Sequence, residues 1–184
     1  MAKISSLAVP AFAAVLMLAS CSSHSAPVAT VTPVAAAPAA PLKLEVVKAD
    51  SEETAGEDAQ AAFAADGDPS TFWHTQWESD SPSGPHEIVL KLSRSAALKK
   101  LSYLPRQDDS ENGCVKDYEV YLSDDGINFG NAVAKGSFDL DKGKEEKAIV
   151  LPGKTCRFIK FKALSEVNGE AWTSVAELGV EEAK

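Results

Sequence analysis

The chain has 184 residues, with 27 acidic against 18 basic side chains and a formal net charge of −9 at pH 7. A surface this acidic repels phosphate backbones and anionic headgroups, which sets aside nucleic acid as a partner and direct adsorption to a lipid surface. No second long apolar run follows the N-terminal one, so no membrane-spanning helix is expected.

Residues 1–20 read as an export signal. Lys3 is the basic start, and residues 7–18 are apolar and Ala-rich but too short to cross a bilayer. The run Leu18-Ala19-Ser20-Cys21 resembles the bacterial lipobox, in which small residues precede a cysteine that receives lipid. The resemblance implies Cys21 as the mature, lipidated N-terminus, holding the protein at the membrane by more than one acyl chain. Ser22 resembles the residue that goes with transfer to the outer membrane in Gram-negative cells. The expected location is therefore the bacterial cell envelope, with the outer membrane as the Gram-negative case. Residues 21–43 carry Pro27, Pro33, Pro38 and Pro41 among Ala, Ser, Thr and Val without any hydrophobic period. They read as a semi-extended tether of about 60 Å at polyproline spacing, in which His24 is solvated.

Residues 44–184 have the length of one domain with a real core. Residues 57–65 are Ala-rich and predict a short helical turn. Residues 87–92 alternate, with Ile88, Leu90 and Leu92 on one face. Tyr118, Val120 and Leu122 alternate likewise, and in residues 157–162 Ile159 and Phe161 oppose two lysines. Residues 147–151 form a further strand candidate. Turn signals separate these runs at Ser83-Gly84-Pro85, Asn112-Gly113, Asp124-Asp125-Gly126 and Pro152-Gly153. Short half-polar strands between frequent turns predict an all-β sandwich of antiparallel strands. Cys114 and Cys156 form an even pair that an oxidising compartment could bridge, although spacing alone does not decide it.

The run Asp66-Gly67-Asp68-Pro69-Ser70-Thr71-Phe72-Trp73-His74-Thr75 concentrates hard oxygens in a tight turn, followed at once by aromatic side chains. Such a turn suits a hard cation, because Gly67 permits the sharp bend and Pro69 limits the loop's freedom. Trp73, between this turn and a strand, belongs to the core.

Four separated pieces then line up in order: the Asp66–Thr75 run, Tyr103-Leu104-Pro105-Arg106-Gln107, Asn112-Gly113 leading into residues 117–126, and Trp172-Thr173-Ser174-Val175-Ala176-Glu177-Leu178. Together they resemble the discoidin domain, or coagulation factor 5/8 type C domain, close to the carbohydrate-binding modules of family 32. The resemblance implies a jelly-roll β-sandwich, a structural calcium ion and a ligand site among the loops at one end. For calcium it implies carboxylates from Asp66 and Glu177, an oxygen from Asp68, the Thr71 hydroxyl and the carbonyls of Phe63 and Ala176, an oxygen shell that suits Ca²⁺ better than Mg²⁺ or zinc. For a galactose-type or amino-sugar terminus it implies His74, Arg106 and Asn112 as hydrogen-bonding residues and Trp77 as stacking platform. Arg106 has a second use on its loop, pairing with Asp108 or Asp109, and Trp172 stands between core packing and the ligand rim.

No nucleophile elbow, zinc-binding helix or Gly-rich phosphate loop occurs, and Asp108, Asp109 and Glu111 read as a solvated loop rather than a glycosidase pair. The expected function is non-catalytic glycan binding. The alternative on the same fold is an envelope protein-interaction or assembly module without a working sugar site.

Overall fold

The computed structural model describes residues 40–138 and 143–184. The expected signal peptide, the expected lipidation site Cys21 and most of the expected tether lie outside the described residues. The described residues hold nine strands: β1 (Leu44–Ala49), β2 (Trp73–His74), β3 (His86–Leu104), β4 (Asp117–Ser123), β5 (Ala134–Ser137), β6 (Lys147–Val150), β7 (Thr155–Ala163), β8 (Ser174–Val175) and β9 (Glu177–Glu182). The expected helical turn is a single 3₁₀ turn, Ala61–Ala65.

All strand pairings are antiparallel, and β3 organises them. Its first half pairs with β1 and β7 in the sheet ordered β1-β3-β7-β4-β5. Its register with β7 shifts between Lys91 and Ala96. Its second half pairs with β6 and β9 instead. One strand thereby serves both layers of a sandwich, with the register break as the corner.

The alternation read from the sequence is the alternation of the core. Ile88, Leu90 and Leu92 of β3, Val120 and Leu122 of β4, and Ile159 and Phe161 of β7 are all buried. Tyr103, Phe138, Tyr118 and Phe161 stack at ring-centroid separations of 4.4–6.2 Å, giving the core an aromatic filling. Trp73 is buried as expected and donates its indole N–H to the Ser51 carbonyl at 2.8 Å.

The cysteine pair is corrected by the structure: Cys114 and Cys156 are both buried free thiols. Cys156 sits near the start of β7 opposite Ala96. Cys114 bridges to Ser174, and its neighbour Val115 bridges to Glu166, beyond the far end of β7. A strand rising about 3.3 Å per residue separates these positions by far more than the roughly 7 Å that a disulfide spans between Cα atoms. Burial raises both thiols' pKa, Cys156 to about 11.

Candidate functional site

The short pair β2–β8 sets the site's frame. Trp73 lies opposite Val175 and His74 opposite Ser174, so alternation sends Trp73 inward and leaves His74 at the end of the sandwich. Asn112 reaches the same place through Gly113. This glycine has φ +78°, and a Cβ on it would stand 2.7 Å from the Ser174 amide nitrogen. Its carbonyl accepts that N–H at 2.7 Å, and the Ser174 hydroxyl donates to the Asn112 carbonyl at 3.0 Å. The turn expected at Asn112-Gly113 is thus also a docking point on β8.

Glu57, His74, Trp77, Arg106, Ser110, Asn112 and Trp172 line one open cavity of about 210 Å³. All four predicted ligand residues are among them. Glu57 and Ser110 are additions that sequence reading missed. Glu57 sits in a run of small and charged residues with no pattern to single it out.

His74, Arg106 and Trp172 are each held by a second contact. His74 places Nδ1 2.6 Å from the Thr75 carbonyl. A carbonyl only accepts, so Nδ1 carries the proton and Nε2 is the ring's acceptor. Burial, aided by the nearby Arg106 charge, lowers its pKa and keeps the ring neutral.

Arg106 is only 7% exposed. Its Nε donates to Asp108 Oδ1 at 2.7 Å and its Nη2 to Asp108 Oδ2, the pairing foreseen on its loop. The guanidinium carbon also lies 4.1 Å from the Phe72 ring centroid. This fork and stack fix the side chain and leave Nη1 without a hydrogen-bond partner among the described residues. Pairing with Asp108 and lining the cavity are therefore compatible, and the pairing holds Asp108 below the usual carboxylate range.

Trp172 belongs to the rim rather than the core. Its indole donates to the Ser81 hydroxyl at 3.2 Å and its ring tilts 52° to His74 at 6.2 Å. Its segment is held by His86, which sequence reading also missed. The buried His86 ring has Nδ1 2.7 Å from Asp50 Oδ2 and Nε2 2.7 Å from the Ala171 carbonyl. Both neighbours accept, so both nitrogens carry protons. Burial opposes the charge, but the Asp50 carboxylate and the Ala171 carbonyl outweigh it and raise the pKa.

The predicted cation residues lie at another place. Glu177 Oε1 accepts the Gly67 N–H at 2.7 Å and the Glu177 carboxyl also meets the Asp66 side chain. The single Thr71 hydroxyl proton is shared between Asp66 Oδ2 and the Asp68 carbonyl, each 2.9 Å from Oγ1. The Asp68 carboxylate accepts the Ser70 N–H and hydroxyl through Oδ1, which leaves its Oδ2 and its carbonyl as the oxygens it can lend. Phe63 lies on the 3₁₀ turn, against which β9 packs, with Ala176 just before that strand. Among the described residues no three His, Cys, Asp or Glu side chains gather at a metal position. The set is two carboxylates with neutral oxygens, and it fits a hard cation: burial and the adjacent Asp66 raise the Glu177 pKa to about 7, a carboxylate pair lacking a counter-charge.

A model of the F5/8 type C domain matches residues 46–178. The chain belongs to the F5/8 type C domain family. It is 41% identical over 140 residues to a sialidase of Micromonospora viridifaciens, covering 76% of this chain and 21% of that protein. It is 39% identical over 118 residues to a galactose oxidase of Gibberella zeae, covering 64% of this chain and 17% of that one. The chain thus spans about a fifth of the length of these relatives.

Among solved structures, CpGH89CBM32-5 from Clostridium perfringens, in complex with GalNAc-β-1,3-galactose, superposes with a TM-score of 0.65 at 33% identity, covering 76% of this chain and 94% of that one. The family 32 module of C. perfringens NanJ, in complex with galactose, gives 0.61 at 27% identity, covering 76% and 92%. The F5/8 type C fold seen here is accordingly the jelly-roll sandwich of the discoidin and family 32 carbohydrate-binding domains.

Proposed function

We propose that the protein is a non-catalytic, lipid-anchored glycan-binding protein of the bacterial envelope, which takes a galactose-type or amino-sugar terminus in the His74–Arg106–Asn112 cavity. The convergence of His74, Trp77, Arg106 and Asn112 on one concavity of about 210 Å³ carries the reading. That volume is below the roughly 300–1,000 Å³ of drug-sized sites and suits one terminal sugar rather than a chain. Neighbours of the same fold hold galactose and GalNAc-β-1,3-galactose.

The polar groups complement a hexose. His74 Nε2 accepts from one hydroxyl, Arg106 Nη1 donates to another, and the Asn112 amide does both. Trp77 is 38% exposed and offers its indole to the C–H face of the ring. Because His74 and Arg106 are held before the sugar arrives, little ordering entropy is lost there on binding. A single sugar buries little area, so the affinity is weak, on the order of 0.1–1 mM, and many anchored copies would act together. The Leu18–Cys21 run supports the lipid anchor and the envelope location.

Calcium belongs to this reading as a fold element. Asp66, Thr71 and Glu177, with an oxygen of Asp68 and the backbone oxygens of Phe63 and Ala176, would hold it, and the ion would supply the positive charge that the Asp66–Glu177 pair lacks.

A glycan array with the purified protein tests the reading. Galactose-type binding that disappears in Arg106→Ala supports it. Binding to no glycan would shift the function to protein interaction or assembly.

A further inference from the structure

Glu53 is a fully buried carboxylate that does not itself line the cavity. Its Oε1 accepts the N–H groups of Ala55 and Gly56 at 2.7 and 2.8 Å, and its Oε2 accepts those of Trp77 and Glu78 at 2.7 and 2.9 Å. Its own N–H donates to the His74 carbonyl at 2.8 Å. One residue therefore ties the backbone of two cavity residues to the 53–56 loop.

No regular strand holds the chain between β2 and β3, so the fixing of Trp77 depends on where its neighbours' backbone N–H groups go. Thr75 donates to the Thr173 carbonyl and Gln76 to the Ser51 hydroxyl. Trp77 and Glu78 both go to Glu53.

Gly56 completes the arrangement. A Cβ on it would stand 2.6 Å from Trp77 Cη2 and 3.0 Å from Trp77 Cζ2. Its φ lies outside the left-handed region, so the position calls for a residue without a side chain rather than for glycine's backbone freedom. The indole edge rests directly on the loop backbone.

We infer that the loop from Glu53 to Gly56 is a positioning clamp for the sugar platform: Glu53 fixes the Trp77 backbone and bare Gly56 sets the pitch of its indole. Neither residue needs to touch the sugar, and the clamp rests on the reading of the cavity as a sugar site. An indole free to rock would lose stacking area with each departure from the bound pitch and would have to be ordered on binding. Burial opposes the Glu53 charge, but the four N–H groups, Trp77's foremost, bring its pKa down to about 2. The clamp is therefore set throughout the physiological pH range.

The test uses the full chain, galactose titrations and the NMR signal of the Trp77 indole N–H in Gly56→Ala, Glu53→Gln, Trp77→Ala and the Gly56→Ala/Trp77→Ala pair. Gly56→Ala leaves the backbone conformation allowed and should keep the fold. It should shift the indole signal and weaken galactose binding about tenfold, equivalent to roughly 1.4 kcal/mol. In the Trp77→Ala background the same change should alter affinity less than about twofold, because a positioning residue has nothing left to position. Glu53→Gln replaces one acceptor oxygen by an NH₂ and should lower the order of the same indole. A Gly56→Ala protein with wild-type affinity and an unmoved indole signal overturns the clamp, as does an equal loss in the Trp77→Ala background. If the wild type binds no galactose, the galactose-type reading fails by itself. The indole signal still decides the clamp: moved in both variants supports it, unmoved in either overturns it.

Discussion

Glu53 and Trp77 are joined by a bond from the Trp77 backbone N–H to Glu53 Oε2 at 2.7 Å, and that bond makes a buried acid tolerable. A lone buried carboxylate would be neutralised, but one that accepts four N–H groups stays ionised. Its pKa of about 2 against an ordinary 4.5 fixes the sign of a pH effect. A group whose folded pKa is lowered contributes stability above its unfolded pKa and loses it as pH falls through the folded value. The stability difference between wild type and Glu53→Gln should therefore be full above about pH 4.5 and shrink towards pH 2. Urea unfolding at stepped pH measures it, with a plateau difference of about 2 kcal/mol or more for the N–H groups left without an acceptor. A difference that does not change with pH would show that folding leaves the Glu53 pKa unshifted, and one that moves in favour of the wild type as pH falls would show that Glu53 is neutral in the fold.

Charge selection is expected at the cavity. Arg106 is matched by Asp108 and His74 is held neutral, which leaves the exposed Glu57 as the unmatched charge among the lining residues. A carboxylated sugar should bind worse than its neutral counterpart. Glu57→Gln should improve galacturonate relative to galactose by about fivefold at low salt, the value of roughly 1 kcal/mol for charges about 4 Å apart in water. The improvement should shrink at high salt. Reading the ratio of the two sugars removes any hydroxyl contact that Glu57 makes to both. An unchanged ratio would place the carboxylate outside the cavity's electrostatics.

His86 couples pH to the segment that carries Trp172. Its raised pKa means that its stabilisation is complete below the unfolded value of 6.5 and lost as pH rises through the folded one. The acceptors facing it are Asp50, just past the end of β1, and the carbonyls of Ala171 and Pro82. A neutral ring donates only once, so one of its two principal bonds must fail. Wild type should lose about 1.5–3 kcal/mol relative to His86→Gln between mildly acidic and alkaline pH, the value of a charge-assisted hydrogen bond. Thermal melts across pH 5.5–9 give the answer, and parallel curves would remove His86 as the cause.

These groups differ in how far the sequence exposes them. Alternation at Ile88, Leu90 and Leu92 marks the start of β3, because a half-buried strand must repeat every two residues. The continuation through Ser93-Arg94-Ser95-Ala96-Ala97 breaks that rule where β3 turns the corner between layers, and small and polar residues there look like a loop. His74, Arg106 and Asn112 are legible through the order of their motifs. Glu53, Gly56 and Glu57 are not, since Ser51-Glu52-Glu53-Thr54-Ala55-Gly56-Glu57 reads as a charged surface turn. What buries Glu53 is a set of N–H donors from residues 2–25 positions away, and no local pattern announces them. His86 is hidden likewise, with partners 36 and 85 positions distant.

Calcium gives the sharpest expectation, because one variant should act in opposite directions with and without the ion. The Glu177 and Asp66 carboxyls meet beside the Gly67 turn. Without a cation, Glu177→Gln removes one of two adjacent acids and should hold or raise the melting temperature of chelator-treated protein at pH 7 and above. With calcium, the wild type should gain stability as RT ln(1 + [L]/Kd), about 2.7 kcal/mol at a hundredfold excess over Kd. The variant, lacking a carboxylate ligand, should gain little, so the order of the two melting temperatures should reverse on adding calcium. Magnesium at the same concentration should not reproduce the gain, because its smaller octahedral shell keeps water and fits carbonyl-rich loops poorly. A wild-type transition that does not move when calcium is removed and restored would refute the site, and the Asp66–Glu177 contact would then be held by a shared proton.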